Sequence, residues 1–240
     1  MLENELEVKV AKVVKDPKLS LKRFSQYIIA TENGKKRILV GSKYPGDYVP
    51  RFYERARKLV CDIFSANVED NDLYFEKFKS QAKVYRDEAI AFPINKDDYK
   101  NRVCSANGLD AIVAMSKLLE PILDKYIVNS NLTQRKDSIT KNDVRIGAMA
   151  DMLLFKDAGA TQIGFLKLNF TAQKLKEDEA KATLLILKTF FEKRGIKLDL
   201  KSCFLIDVFA GRYYTASDNP EIERLIDKSS LEIRDNWDSI

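Results

Sequence analysis

An aspartate and a lysine lie on two neighbouring predicted strands, and their side chains could do chemistry together. The first strand covers about residues 144–156 and carries Asp151; the second covers about 161–170 and carries Lys167. A Lys-Asp-Ala-Gly turn separates them, which predicts an antiparallel pair. A carboxylate is a ligand for hard cations such as Mg²⁺, and a lysine can bind or activate an anionic reactant.

The residue two positions before the lysine limits what this pair can do. It is Phe165, which offers no oxygen to a metal ion. Alternation along a strand places Phe165 and Lys167 on the same face of the sheet. Three interpretations stay open for Asp151: it ligates a metal ion together with another acid, it accepts backbone hydrogen bonds at a strand end, or it forms a buried ion pair with Lys167 that has no catalytic role.

The composition excludes several kinds of chemistry. None of the 240 residues is histidine, which rules out Ser-His-Asp and Cys-His catalysis and zinc sites that need imidazole. Cys61, Cys104 and Cys203 are far apart and form no CxxC pair, as is typical of a protein in a reducing cytosol. The 41 basic and 36 acidic residues give a net charge of +5. This balance permits nucleic-acid binding but also fits a mixed solvated surface.

The pattern gives no sign of a membrane protein. We expect no signal peptide, because the first residues combine neither a basic segment nor an apolar one. No apolar run approaches the length of a membrane span. We therefore predict a cytoplasmic location.

Residues 1–95 are predicted to form an α+β region. Residues 5–15 alternate between apolar and charged side chains, which predicts a half-buried strand. Asn33-Gly34 lies between two apolar runs, at 27–30 and 37–40, and this arrangement predicts a β-hairpin. Helical spacing predicts two helices, over 52–64 and 73–90.

Residues 96–240 are predicted to form a mixed sheet flanked by helices. The helical segments are 98–126, in which Pro121 either introduces a kink or starts a new helix, 175–194, and a last helix that Asn219-Pro220 caps. A polar loop is predicted over 129–142, a strand over 203–209 and a further short strand near 127–128. A helix between two strands implies a crossover connection, so the predicted fold class is α/β (α+β) with a mixed sheet.

This order of elements, with the Gly-Ala-Met-Ala-Asp segment that ends at Asp151 and the Phe-Leu-Lys segment that ends at Lys167, resembles the PD-(D/E)xK nuclease superfamily. The resemblance covers about residues 100–215. It implies that Asp151 holds Mg²⁺ and that Lys167 orients or activates the attacking water. It also implies that Glu120 supplies the accessory acid of the preceding helix.

The same resemblance implies a degenerate site, because Phe165 replaces the second acid of the family motif. Glu120 or Glu179 could supply the missing carboxylate from elsewhere in the chain, and the substrate could supply a ligand. Without such a replacement the domain would bind nucleic acid but would not cut it.

Three further charged groups have two interpretations each. Arg51, Arg55, Arg57 and Lys58 could contact phosphates or simply form a solvated surface. A second basic run near the N-terminus, which includes Lys22 and Arg23, has the same two interpretations. Asp207 lies within an apolar strand, so it either pairs with a nearby lysine or belongs to the site.

The resulting expectation is a nucleic-acid-associated protein with a degenerate restriction-endonuclease-like fold, of the kind found in prokaryotic and phage defence systems. If it is active, the reaction is phosphodiester hydrolysis with Mg²⁺; otherwise we expect no cofactor. The alternative is a non-catalytic protein-interaction subunit of a larger complex. The expected partners are accordingly DNA or RNA, or a protein, and not a membrane.

Overall fold

Eight α-helices and two mixed β-sheets make up the described part of the chain, residues 13–46, 52–132 and 137–240 of a computed structural model. The helices are α1 Leu21–Ile29, α2 Glu32–Lys43, α3 Glu54–Phe64, α4 Asp72–Ala89, α5 Asp97–Ala114, α6 Ser116–Lys125, α7 Glu177–Lys193 and α8 Pro220–Trp237. The strands are β1 Lys18–Leu19, β2 Ile127–Ser130, β3 Ser138–Lys141, β4 Val144–Gly147, β5 Met152–Lys156, β6 Thr161–Asn169, β7 Cys203–Asp207 and β8 Arg212–Thr215. The mixed α/β class predicted from the sequence is therefore confirmed.

The larger sheet has five strands in the order β2-β5-β6-β7-β8. Its neighbours are antiparallel except for β6 and β7, which run parallel and are joined through α7. Parallel strands require a crossover of this kind, and the amphipathic segment over 175–194 supplies it. The smaller sheet has the order β1-β4-β3, in which β1 is parallel and β3 antiparallel to β4.

Alternating residues of β6 and β7 divide the core into two clusters on opposite faces of the larger sheet. The α7-side cluster contains Phe165 and Leu205 together with side chains from α1, α7 and α8. The α5-side cluster contains Leu166 and Ile206 together with side chains from α3, α4, α5 and α6. Each strand thus buries both of its faces, which explains its continuous apolar sequence.

Residues on both sides of position 95 share these clusters. Phe24 of α1 lies in the α7-side cluster, and Phe64 of α3 lies in the α5-side cluster. In addition, β1 pairs with β4, so that Lys18 lies opposite Arg145. The predicted boundary between residues 1–95 and 96–240 stays a prediction.

The hairpin predicted around Asn33-Gly34 is wrong, because these residues lie in the first turn of α2. Thr31 is the N-cap of α2, and its Oγ1 accepts a hydrogen bond from the Gly34 amide (3.4 Å). Ser20 caps α1 in the same way through the Arg23 amide (3.3 Å). Both caps satisfy amide groups at a helix start, and this local signal prevailed over the turn dipeptide.

The single strand predicted over 144–156 is also wrong. It is two strands of different sheets: β4 ends at Gly147, and β5 begins at Met152. Between them Ala148 and Ala150 are fully buried, so the small side chains allow the connection to pass through the core. Asp151 lies at the end of this connection, immediately before β5.

The loop predicted over 129–142 is wrong in part, since it contains the end of β2 and all of β3. Asn142 and Asp143 connect β3 to β4 and both have a positive φ, 47° and 63°. Two-residue hairpin turns of this kind favour Asn and Asp at such positions. Residues 133–136 within this segment lie outside the described residues.

Three other boundaries differ from the prediction. The helix over 98–126 ends at Ala114 and restarts at Ser116, so its break is at Met115, and Pro121 lies inside α6. The strand predicted over 203–209 ends at Asp207. Residues 5–12 of the strand predicted over 5–15 lie outside the described residues, and the remaining three form no strand.

The other predicted elements are confirmed within a few residues. They are the helices α3, α4, α7 and α8, the strands β2 and β6, and the turn at 157–159. The helices and strands among them have either a clear apolar period or a cap that is visible in the sequence.

Candidate functional site

Asp151 is fully buried, and its backbone and side chain extend the strand pairing beyond the start of β5. Its amide donates to the Leu166 carbonyl (3.0 Å), and its carbonyl accepts from the Asn131 amide (2.9 Å). Its Oδ2 accepts from the Leu168 amide (2.7 Å), and its Oδ1 accepts from Lys167 Nζ (3.1 Å). The sequence-predicted pair of Asp151 and Lys167 is therefore in direct contact.

A third charged group, Arg57 of α3, completes what we call the ion triad of Asp151, Lys167 and Arg57. Arg57 Nε lies 3.8 Å from Asp151 Oδ1, which is an ionic contact but too long for a hydrogen bond. Within the described residues this buried Nε has no hydrogen-bond acceptor. The guanidinium thus retains donor capacity beside the carboxylate.

The pKa of Lys167 is lowered from its ordinary value, first because burial removes the ammonium group from water. The negative charge of Asp151 acts in the opposite direction, and the nearby Arg57 lowers the pKa further. Burial disfavours the charged form of a lysine unless an anion compensates for the lost hydration. Burial and Arg57 together thus outweigh the effect of Asp151 on the pKa of Lys167.

The residues present do not fit a Mg²⁺ site in this arrangement. Both oxygens of Asp151 are already engaged, one by Lys167 and the other by the Leu168 amide. Phe165 is fully buried and stacks on Phe191, with 5.4 Å between ring centroids and an interplanar angle of 19°. In the described part of the chain, no group of three or more His, Cys, Asp or Glu side chains could hold a metal ion. Binding of Mg²⁺ by Asp151 stays a prediction from the resemblance.

A cavity of about 290 Å³ lies beside the ion triad. Its walls come from the start of α1, from α3, from β6 and from α7. The charged groups that line it are Lys22, Arg57, Lys167, Asp137 and Glu179. Its other lining residues include Ser20, Asn169 and Thr183 on the polar side and Leu21, Leu168 and Leu205 on the apolar side.

A polar network crosses the carboxyl ends of the parallel strands β6 and β7. Lys22 Nζ donates to Thr171 Oγ1 (2.9 Å), and Thr171 Oγ1 donates to Asn169 Oδ1 (2.8 Å). Asn169 Nδ2 then donates to Asp207 Oδ1 (3.0 Å). The network connects Lys22 of α1 to the end of β7 and fixes the side-chain amide of Asn169.

Asp207 is fully buried, and the cation that faces it is an arginine and not the predicted lysine. Arg212 lies opposite Asp207 in the β7–β8 pair, with Nε 3.6 Å from Oδ2. Oδ2 also accepts from the Leu175 amide (3.0 Å). The prediction of a lysine partner is therefore wrong, because the cross-strand neighbour was not evident from the sequence. Through Asn169, Asp207 supports the cavity wall.

Glu179 lies in the first turn of α7, lines the cavity and is only 8% exposed. Its pKa is raised, first by burial; Lys22 acts against the rise, and Asp207 adds to it. Glu120, the other acid proposed as a replacement, is half-buried on α6 and is not among the lining residues of the described cavity. The catalytic role predicted for Glu120 stays untested.

The predicted basic cluster separates into one inward and two outward residues. Arg57 belongs to the ion triad, whereas Arg55 and Lys58 of the same helix are exposed. Arg55 lies over the ring of Tyr85, 6.0 Å from its centroid. Arg51 lies outside the described residues.

Sequence reasoning named neither Asn169 nor Thr171 as site residues, and it placed Lys22 only in a basic run. The signals that could have found them are local: Asn169 ends a strand, and Lys22 follows the helix cap Ser20. Their convergence depends on the parallel pairing of β6 with β7 and on the packing of α1, which no short pattern displays.

Comparisons with protein-family models, with curated proteins and with solved structures found no match for this chain. In residues 13–46, 52–132 and 137–240, no helix combines the length and the apolar character that crossing a membrane requires.

Proposed function

We propose that this chain is a nucleic-acid-associated protein with a degenerate restriction-endonuclease-like core that binds but does not cut. The order of elements α6, β2, β5, β6, α7 and β7 supports this proposal. So does the position of Asp151 beside β5 and of Lys167 on β6, where the resemblance expects them. A function in prokaryotic or phage defence and a cytoplasmic location remain predictions from the sequence.

The single observation that carries the proposal is the cationic lining of the cavity. Lys22, Arg57 and Lys167 come from three different elements and line one cavity of about 290 Å³. Basic side chains that converge in this way supply the contacts that proteins make to phosphate oxygens. The engagement of both Asp151 oxygens favours binding without metal-dependent cleavage.

The first test measures binding of labelled DNA and RNA, single- and double-stranded, over a range of salt concentrations. We expect the logarithm of the affinity to fall linearly with the logarithm of the salt concentration. The double variant Lys22→Ala/Arg57→Ala should lose more affinity than Arg55→Ala/Lys58→Ala, which removes the same charge from the exposed surface of α3. Equal losses would contradict a role for the cavity.

The second test measures cleavage of the same substrates with and without Mg²⁺ or Mn²⁺. We expect no cleavage by the wild-type protein. Metal-dependent cleavage that disappears in both Asp151→Ala and Lys167→Ala would overturn the proposal and would assign the enzyme activity to this site.

A second candidate function, a protein-interaction subunit, is favoured by an exposed apolar segment after α4. Ile90 and Ile94 are 82% and 74% exposed, and Val84 of α4 is 44% exposed. Ile90 and Ile94 lie four residues apart in sequence, and exposed apolar groups can mark interaction sites. A protein that binds neither DNA nor RNA at low salt would support this candidate over the first.

A further inference from the structure

We propose that the cavity beside the ion triad binds a terminal phosphate, the phosphate monoester at the end of a nucleic-acid strand, through Lys22, Arg57 and Lys167. This inference rests on the proposed nucleic-acid binding and adds which part of the strand enters the cavity. It requires no metal ion.

Hydrogen-bond donors with spare capacity line this cavity. Arg57 Nε is buried and, among the described residues, has no acceptor. Lys167 Nζ carries three hydrogens, and within the same residues its one hydrogen-bond acceptor is Asp151. A phosphate has several acceptor oxygens and can accept hydrogen bonds from Arg57 Nε and Lys167 Nζ at once. The carboxylate of Asp151 accepts one from Lys167 but none from Arg57 Nε.

The charges around the cavity leave an excess of positive charge. Asp137 is paired with Arg194, with 3.3 Å between Oδ1 and Nη2, and Asp151 is paired with Lys167. Lys22 and Arg57 then face the single carboxylate of Glu179 among the lining residues. A phosphate monoester carries a charge of about −1.5 to −2 near pH 7 and would offset this excess of positive charge.

The start of α1 adds a further favourable element. Ser20 and Leu21, which begin this helix, line the cavity beside Lys22. The first amide groups of a helix lack acceptors within the helix, and the helix dipole favours an anion at this end. The cationic side chains and the helix start therefore act on the same ligand.

The size and depth of the cavity favour a strand end over an internal phosphate. At about 290 Å³ it lies near the lower limit of small-molecule sites, about 300 Å³. Lys167, Leu168 and Leu205, which line it, are largely buried. An internal phosphate has a sugar on each side, and both would have to enter for the phosphate to reach Lys167. A terminal phosphate has only one such substituent and can enter first.

The test compares one oligonucleotide sequence in three forms: with a 5′-phosphate, with a 3′-phosphate and with hydroxyl groups at both ends. Inorganic phosphate and sulfate are measured separately by titration calorimetry and as competitors. We expect one phosphorylated form to bind roughly 10- to 100-fold more tightly than the hydroxyl form, the range for hydrogen bonds to a charged group. Inorganic phosphate should compete with that form only.

Matched variants assign the preference to the cavity. Arg57→Ala should remove the preference for the phosphorylated end, whereas Arg55→Ala, with the same loss of charge on the same helix, should retain it. Lys22→Gln provides a second variant, because Lys22 is exposed and its replacement leaves the core intact. Fluorescence of Trp237, buried in the α7-side cluster, reports whether each variant is folded.

The possible outcomes separate this inference from the proposed function. Equal binding of all three oligonucleotides would overturn the terminal-phosphate site while leaving nucleic-acid binding in place. A preference that both arginine variants weaken equally would also overturn it. Binding of inorganic phosphate by a protein that binds none of the three oligonucleotides would contradict the proposed function and would assign the cavity to a free phosphate.

Discussion

At the scale of the residue, the ion triad shows how a buried carboxylate is stabilised when it is shared among several donors. Asp151 is fully buried, yet its carboxylate accepts hydrogen bonds from the Leu168 amide and the Lys167 ammonium group. It also lies within ionic contact of the Arg57 guanidinium. A buried charge without such partners would cost several kcal/mol. The triad therefore gives Asp151 a structural function whatever the cavity binds.

Removing one member of the pair should cost more than removing both. Lys167→Met leaves Asp151 buried with only Arg57, 3.8 Å away and not hydrogen-bonded to it, as counter-charge. We expect the free energy of unfolding to fall by about 3 kcal/mol, the lower end of the range for a broken buried pair. In Asp151→Asn/Lys167→Met the asparagine oxygen can still accept from the Leu168 amide. The double variant should lie within about 1 kcal/mol of wild type.

Urea denaturation of the two single variants and the double variant forms the thermodynamic cycle for this prediction. Additive losses would mean that Asp151 and Lys167 are not coupled. They would also contradict the upward effect of Asp151 on the pKa of Lys167.

The pH dependence of stability should reveal the buried Glu179. Because burial raises its pKa in the folded state, the folded protein retains a proton that the unfolded chain has lost. Stability is then lost as the pH rises from the unfolded pKa of glutamate through the folded one. We expect Glu179→Gln to be more stable than wild type at pH 8 and equal to it at pH 4.

Glu177→Gln is the matched control for this measurement, because Glu177 lies in the same turn of α7 but is exposed. Its pKa is lowered, first by the hydrogen bond from Lys181. The same substitution should therefore change stability in the opposite direction above pH 5, as measured by thermal unfolding at each pH. A Glu179→Gln variant that behaves like Glu177→Gln would contradict the buried environment of Glu179.

At the scale of the element, β6 must approach the segment before β7 very closely. A Cβ added to Gly164 would lie 1.9 Å from the Ser202 carbonyl oxygen, a distance that no packing adjustment at a side chain can relieve. Ser202 is itself fixed by the Tyr126 hydroxyl (2.7 Å) and by Asp199. The parallel pair of β6 and β7 therefore requires glycine at this position.

We expect Gly164→Ala either to prevent stable folding or to lower the midpoint temperature of unfolding. The decrease should be much larger than the one that Gly46→Ala causes. Gly46→Ala is the control: nothing lies within 4 Å of its added Cβ, and such surface changes usually remain within about 0.5 kcal/mol. Circular dichroism during heating measures both variants. A Gly164→Ala protein as stable as Gly46→Ala would show that the strands can separate at this point without cost.

The elements that the sequence predicted correctly are those whose signals are local and uninterrupted. The apolar period of α7 and the Asn219-Pro220 start of α8 required no tertiary information. The hairpin at Asn33-Gly34 failed because a helix cap three residues earlier competed with the turn signal. The division of 144–156 into two strands failed because it depends on which sheet each half joins.

The candidate site was predictable only in part, for the same reason. Asp151 and Lys167 were evident because Asp151 immediately precedes β5, whose antiparallel pairing with β6 brings the two residues together over 16 residues of sequence. Arg57 and Lys22 reach the same cavity from helices about 100 residues or more away in sequence, through packing across two clusters. No single-sequence pattern specifies such distances.

At the scale of the whole molecule, the two core clusters share the strands β6 and β7 and should unfold together. Trp237 is the only tryptophan of the chain, and it is buried in the α7-side cluster. Its Nε1 donates to the Lys15 carbonyl (2.9 Å). Helices on both faces of the sheet contribute to the circular dichroism at 222 nm, whereas the fluorescence reports on the α7-side cluster alone.

We expect the fluorescence of Trp237 and the circular dichroism signal to give coincident urea transitions, as for a two-state protein. Phe78→Ala, which opens a space only in the α5-side cluster, should shift both transitions by the same amount. A fluorescence transition that stays in place while the circular dichroism transition moves would show that the two faces unfold independently.

Phe165 has a consequence for how this chain can evolve. Its ring fills the α7-side cluster against Phe191, so an acidic side chain there would place a charge among apolar groups. A single codon change toward an acid would therefore be selected against through misfolding before any metal could bind. A second change, at Phe191 or near it, would have to accompany the first. The aromatic stack thus opposes the introduction of a carboxylate at this position.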